Sequence, residues 1–361
     1  MKIAVKPRRL PNPPNRIPKL GWNFEKRSES SAFFVDSKTL AVRLLQGMKV
    51  AVLAGLMFWP FSFVSATKYA GEFLSLGVGA RGLGMGGAYI SVVDDATSGW
   101  WNPAGAGRLS SRQAVFMHAE TFGSLLNHDY LSFGLPRENF GLVFSAVRLG
   151  GGGIKVTALP NRDSLIGDNN RPYVVKIEGH GDYAFLGSYG RPLGQRFFLG
   201  GSVKLIYRAI VDNSAYGIGA DIGMLWRPKV NWWLGAVIND FTTTLLAYDT
   251  GTKETITPTV KLGTSYTYYQ KDFSVLGAFS ADLHFEGRKI SAQYYQGSIS
   301  ADNHYGLEIG YREKGFARFG VDVGDFTAGA GVWVAPLRVD FAFLTHPALD
   351  NSYRVLLSVE F

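Results

Sequence analysis

Six histidines, His118, His128, His180, His284, His304 and His346, are scattered along 361 residues with no H-E-x-x-H or other close metal-ligand spacing, and cysteine is absent. This removes disulfides, Cys-ligated zinc or iron–sulfur centres and thiol catalysis, and it offers no metal site. No G-x-S-x-G turn presents a serine, and no glycine is followed directly by lysine, so a Walker A phosphate loop is excluded. Gly77-Val78-Gly79-Ala80-Arg81-Gly82 matches G-x-G-x-x-G, but a dinucleotide site needs a buried strand before it and a helix after it within a βαβ unit. An apolar leader precedes these glycines and no helical crossovers follow, so they read as backbone packed too tightly for a Cβ. Asp94-Asp95 and the pair Asp322 and Asp325 read as helix-start and loop acids. No catalytic residue, metal ligand or cofactor is assigned, and an enzyme is not expected.

The formal charge of +8 sits in the head of the chain. Residues 1–66 carry 11 Lys/Arg against Glu25, Glu29 and Asp36, which leaves 26 residues of each sign beyond. With no basic excess from Thr67 onward, nothing there attracts a phosphate backbone, and a nucleic-acid partner is excluded. Residues 1–47 are basic, Pro-rich and without clear periodicity. Met48-Lys49 then opens the apolar run Val50 to Phe63, followed by Val64-Ser65-Ala66. A positive start, a short apolar segment and small residues describe a secretory signal peptide cut at Ala66/Thr67. The competing reading is a short membrane anchor, against which stand its length and Pro60. A basic stretch ahead of a leader is either a long cytoplasmic n-region or an artefact of a true start at Met48.

The elements that must position any site follow from periodicity. With 44 Gly, 17 Tyr, 25 Phe, 8 Trp and only 18% charged residues, the chain is too aromatic for disorder. From Gln113 the pattern has period two, the strand period. Leu199, Val203, Leu205, Tyr207 and Ala209 alternate with Ser202, Lys204 and Arg208; Tyr353, Val355, Leu357, Val359 and Phe361 alternate with Arg354, Ser358 and Glu360. Fourteen strands are expected, near 113–121, 127–136, 139–149, 181–191, 197–210, 214–227, 231–239, 258–269, 272–283, 303–312, 315–322, 326–334, 336–345 and 351–361. Segments of about 9 to 12 residues, an even count, tight turns at one end and long connections (150–180, 240–257 and 284–302) at the other describe a transmembrane antiparallel β-barrel. A large soluble β-sandwich explains the alternation but neither the asymmetry of the ends nor the leader. The expected outward residues include Val203, Leu205, Tyr207, Ile218, Ile222, Val355 and Val359. Fourteen strands enclose more than side chains fill, and the Gly-rich segment 67–112 is the material available as a hatch inside the lumen.

That segment carries a resemblance. Gly71-Glu72-Phe73-Leu74-Ser75-Leu76-Gly77-Val78-Gly79-Ala80-Arg81, then Leu83-Gly84-Met85-Gly86-Gly87-Ala88, Asp94-Asp95-Ala96 and Trp101-Asn102-Pro103-Ala104-Gly105, resembles the PorV/PorQ family, itself similar to the FadL outer-membrane transporters. The likeness continues more weakly to Phe361. It implies a fourteen-stranded barrel (residues 113–361) with an N-terminal hatch carrying an Asn-Pro-Ala motif, exported to the outer membrane of a Gram-negative cell. Arg81, Gly84, Met85, Gly86, Gly87, Asp94, Asp95, Trp101, Asn102, Pro103, Ala104 and Gly105 are the hatch residues it singles out. Asn102 is expected to bond local backbone, Pro103 to fix φ, and Ala104-Gly105 to permit close approach to the wall. Two roles are implied: a conduit or binding protein for hydrophobic small molecules, or a barrel of the type IX secretion system that holds secreted protein cargo. A mature length short for the secretion-type members, and Gly105-Ala106-Gly107 where a Gly-Leu pair is common, depart from the pattern.

Opposite the apolar stripes lie Lys204, Arg208, Asp221, Arg227, Lys261, Glu308, Arg312, Arg318, Asp322, Arg338, Asp340, Arg354 and Glu360. These residues form either a polar path for anionic groups or pairs with one another and with the hatch, where Arg81 is an expected anchor. Facing lipid, each charge would cost about 2–4 kcal/mol at mid-depth. Tyr353 and the terminal Phe361 resemble the C-terminal signal by which the barrel-assembly machinery recognises its clients. The expected partners are therefore that machinery, outer-membrane lipid, and a hydrophobic ligand or protein cargo.

Overall fold

The computed structural model describes residues 71–288, 291–346 and 350–361. The basic extension 1–47, the leader 48–66 and residues 67–70 lie outside the described residues. Seventeen strands follow the hatch: β1 Gln113–Thr121, β2 Leu126–Pro136, β3 Gly141–Ala158, β4 Tyr173–Leu193, β5 Phe197–Ile210, β6 Asn213–Lys229, β7 Trp232–Asn239, β8 Thr244–Tyr248, β9 Lys253–Ile256, β10 Thr259–Gln270, β11 Phe273–His284, β12 Tyr294–Gln296, β13 Ile299–Tyr311, β14 Gly315–Asp322, β15 Asp325–Val334, β16 Leu337–Leu344 and β17 Ser352–Glu360. Fourteen of them form the closed antiparallel wall, since β1 pairs with both β2 and β17 and β7 pairs with β10. Closure leaves no unpaired edge, the condition a sheet must meet in hydrocarbon.

The side chains fall as the alternation requires. Val203, Ile218 and Val355 are 55%, 58% and 53% exposed on the outside, whereas Lys204, Asp221 and Arg354 point into the lumen and are buried. Phe116, Phe144, Phe185, Tyr266, Phe319 and Phe341 continue the outward band around the wall. A contiguous belt of such residues is untenable in water and natural against acyl chains. Short turns join β2 to β3, β10 to β11 and β13 to β14 at one end; the long connections lie at the other.

Three expected loops contain more strand than periodicity indicated. β3 and β4 run past the rim as a two-stranded arm, in which Ile154 pairs with Glu178 and Ala158 with Tyr173 after a bulge at Gly151–Gly153. β8 and β9 continue β7 and β10 beyond a kink at Asp240–Thr243, and β12 flanks an earlier start of β13. Outside the bilayer no face has to be apolar, so the alternation that reveals a strand fades there.

The faces predict chemical reactivity. Ile218→Cys should react with a bilayer-soluble maleimide and resist a charged, membrane-impermeant thiol reagent, while Asp322→Cys, in the lumen, should do the reverse. The opposite pattern would invert the wall.

Candidate functional site: the hatch and its two vestibules

Residues 71–112 cross the lumen. A 3₁₀ turn at Glu72–Ser75 is followed by short helices at Ala80–Gly84 and Ser98–Trp101, and a second 3₁₀ turn, Pro103–Arg108, leads into β1. The hatch has its own small core: Trp101 Nε1 donates to the Val78 carbonyl at 2.9 Å, and its ring meets Tyr89 edge to face at 5.7 Å. Asp94 and Asp95, expected as helix-start acids, precede the second helix and lie outside its first turn; Asp94 is held by Arg81 and Arg108, and Asp95 Oδ1 accepts from the Thr97 amide at 2.8 Å. The Tyr89 hydroxyl donates to Asp95 Oδ2 at 2.9 Å.

The hatch and wall meet backbone to backbone. Gly141, Gly190, Gly200 and Gly223 stand opposite one another across β3, β4, β5 and β6, and a Cβ on any of them would strike Asn102, Pro103, Ala104 or Ala106. Paired Gly235 and Gly263 admit Ile90 and Ser91; on Gly235 a Cβ would lie 2.6 Å from the Ile90 carbonyl oxygen. On the far side, paired Gly306 and Gly320 hold Met85 and Gly86, and Gly84 rests on Gly329. Period-two reading missed these wall glycines. The available signal was glycine recurring inside strands, which it otherwise weakens.

Asn102 is fully buried and fastens this contact. Its Nδ2 donates to the Ile90 carbonyl at 3.0 Å and to the Met224 carbonyl of β6 at 3.1 Å, and its Oδ1 accepts from the Ala104 amide at 3.1 Å. Pro103 then starts the 3₁₀ turn, where its missing N–H is no loss. Gly105 differs from expectation: it packs within the hatch against Ser98 and Val93, and the close approach to the wall is made by Pro103, Ala104, Ala106 and Gly107.

Most of the lumen charges are paired. Arg81 grips Glu308 of β13 with two bonds, 2.9 and 2.8 Å, and donates to Asp94 at 3.0 Å. Glu308 also receives Arg318 at 2.6 Å; Arg318 reaches Asp340 at 2.7 Å, and Asp340 receives Arg338 at 2.8 Å. Elsewhere Lys204 lies between Asp221 and Asp240 at 3.2 and 2.7 Å, Arg208 meets Asp182 at 2.8 Å, and Lys261 meets Asp282 at 2.6 Å. Arg312 is not a lumen residue: it occupies a tight turn at φ 51° and pairs with exposed Asp272. Arg227 stacks on Trp233 near the same rim. Tyr353 faces outward between Phe341 and Phe343, and the Phe361 amide donates to the Arg112 carbonyl.

The hatch leaves a vestibule at each end. The outer one, ≈ 370 Å³ on the long-loop side, has Leu74, Ile90, Trp100, Leu186 and Ile256 on part of its lining. It also gathers two of the scattered histidines, His284 and His304, with Asp282, Asp302 and Asp322. No cluster of His and carboxylate fit to hold a metal occurs among the described residues. The inner vestibule, ≈ 500 Å³, is lined by Arg81, Asp94, Arg108, Glu308 and Arg338 with Trp233, Phe316 and Trp333.

A closed fourteen-stranded antiparallel wall filled by an N-terminal hatch is the architecture of a transmembrane β-barrel. No protein-family model matches the chain, and no curated protein matches its sequence. Solved structures do. The toluene transporter TbuX of Ralstonia pickettii aligns with a TM-score of 0.52 at 12% identity, covering 79% of this chain and 98% of its own. The monoaromatic hydrocarbon channel CymD gives 0.50 at 13%, covering 79% and 98%, and a deltaS2S3 mutant of the monoaromatic hydrocarbon channel TodX gives 0.50 at 11%, covering 79% and 99%. At such identity the likeness is one of fold.

Two consequences are measurable. Gly200→Val should destabilise the barrel by more than about 3 kcal/mol, a severe steric class, while Gly277→Val, whose Cβ meets nothing within 4 Å, should be neutral; heat-dependent gel mobility of the folded barrel distinguishes them. In a double-mutant cycle, Arg81→Met and Glu308→Leu should show a coupling of about 1–3 kcal/mol, and additivity would mean that the ion pair does not hold the hatch.

Proposed function

We propose that the protein is an outer-membrane barrel of FadL type that acts as a passive conduit or binding protein for hydrophobic small molecules. The observation that carries this reading is a hatch-filled lumen with vestibules at both ends, on a fold shared with hydrocarbon channels. An apolar molecule would land on the Leu74, Ile90, Trp100, Leu186 and Ile256 side of the outer vestibule and pass between hatch and wall. Charged residues line much of both vestibules, so the apolar strip, not the whole cavity, is the route. Export by the 48–66 leader and insertion through the Tyr353 to Phe361 strand belong to the same proposal, as does a gating role for the Asn102-Pro103-Ala104 motif.

The hatch motif's resemblance to PorV/PorQ leads to a second reading, in which the barrel mouth holds a secreted protein. One observation favours it. The arm formed by β3 and β4 ends in a tip ordered by Asn170, whose Nδ2 donates to the carbonyls of Asn161, Ser164 and Leu165, and which presents Leu165 and Ile166 to solvent.

Outer-membrane vesicles carrying the protein should take up a radiolabelled monoaromatic hydrocarbon several-fold faster than vesicles without it. Equal rates with and without the protein would end the conduit reading. Capture of a secreted protein that is lost on Leu165→Asp/Ile166→Asp would establish the second.

A further inference from the structure

The interior arginines Arg208, Arg318 and Arg338 each rest against a carboxylate, and Arg354 of β17 does not. It is 3% exposed, its Nε and Nη1 find no acceptor, and no carboxylate pairs with it among the described residues. His128 of β2 is wholly buried, and neither of its ring nitrogens has a partner. The register brings the two together: Ala119 of β1 stands opposite Arg354 on one side and opposite His128 on the other. Strands lie about 4.8 Å apart, so the two side chains face each other across a methyl group over about 10 Å. Ala342, opposite Arg354 on β16, is equally small. The nearest acid in sequence, Asp129, faces the other side of the wall and is engaged by His118 and Arg148.

Around these groups the packing is apolar, with Met117, Leu149 and Leu356 of the wall and Phe73 and Val78 of the hatch in one cluster. A guanidinium without a counter-charge in such surroundings is among the costliest arrangements a fold can hold. Asparagine or glutamine would fill similar space without that cost, so the charge calls for a counter-ion. The unpartnered Nε and Nη1 each offer an N–H donor suited to a carboxylate or a halide, and the imidazole supplies a third from the opposite side. We infer that Arg354 and His128 form a binding site for a monovalent anion, set between hatch and wall on the long-loop side. The anion is either a free halide or the carboxylate end of an apolar molecule lying along Met117 and Leu149. The site stands on these side chains and does not require the conduit reading.

The test uses the full barrel in detergent micelles in sulfate buffer, with thermal unfolding followed as sodium chloride, sodium decanoate or neutral decanol is added. One of the two anions should raise the midpoint saturably by a few degrees, and decanol should not. Saturation by chloride identifies a free counter-ion; saturation by decanoate at much lower concentration identifies a carboxylate-bearing ligand. Arg354→Met should abolish the response and unfold no lower than the wild type in sulfate, because it removes an unpaired charge. His128→Gln keeps the arginine and should weaken half-saturation several-fold, which preserves the test if Arg354→Met fails to insert. No response to either anion, an equal response to decanol, or an unchanged response in both variants would overturn the site.

Discussion

Direct contact between two backbones organises this molecule. The hatch touches the wall where one or both surfaces lack side chains: Gly84 and Gly86 lie against Gly329 and Gly320, and wall glycines Gly190, Gly200, Gly223 and Gly306 admit Asn102, Pro103, Ala104, Ala106 and Met85. Each wall glycine gives up strand propensity and side-chain packing, which a barrel wall would not tolerate without compensation. The compensation is proximity. With no Cβ between them, carbonyls and amides of the hatch approach the wall closely enough for Asn102 to bond a carbonyl of each.

Electrostatics follows from that placement. A lumen filled by protein has a low local dielectric, so a charge there is stable only when paired and hydrogen-bonded. Arg81 works in that setting: it fills its fork with Glu308 and passes a further bond to Asp94, so hatch and wall share one network that runs on through Arg318 to Asp340. Lys204 ties Asp221 to Asp240 at the kink where β7 gives way to β8. The interior is therefore polar in composition yet offers a passing molecule few free charges.

Much of this was legible in the sequence because the bilayer imposes a strict rule on each strand. Leu199 to Ala209 and Tyr353 to Phe361 alternate because one face meets lipid and the other the lumen, and the structure places them so. Where lipid ends, the rule lapses, and so the arm at Ile154–Ala158 and the continuation into β8 carry no alternation that marks them as strand. Asn102 could be picked out as a residue that bonds local backbone, but its bond to Met224 could not, since 122 residues separate them. The partner of Arg81 lies 227 residues away, and no local pattern identifies Glu308 over other acids. The charged faces were visible, whereas their pairing depends on a register that only closure of the wall defines.

The order of the chain gives the hatch a further consequence. It is made before β1, yet it touches strands as late as β17, and the seam between β1 and β17 joins the two ends of the wall. A surface fitted this closely around the circumference cannot be threaded into a ring that has already shut. A wall that closes round the hatch, with the β1–β17 seam last, meets this geometry without such threading. In that sense the hatch is a mandrel: its girth gauges how many hairpins are wound on, because one too few or too many would set the glycines out of step with the backbone they are shaped to meet.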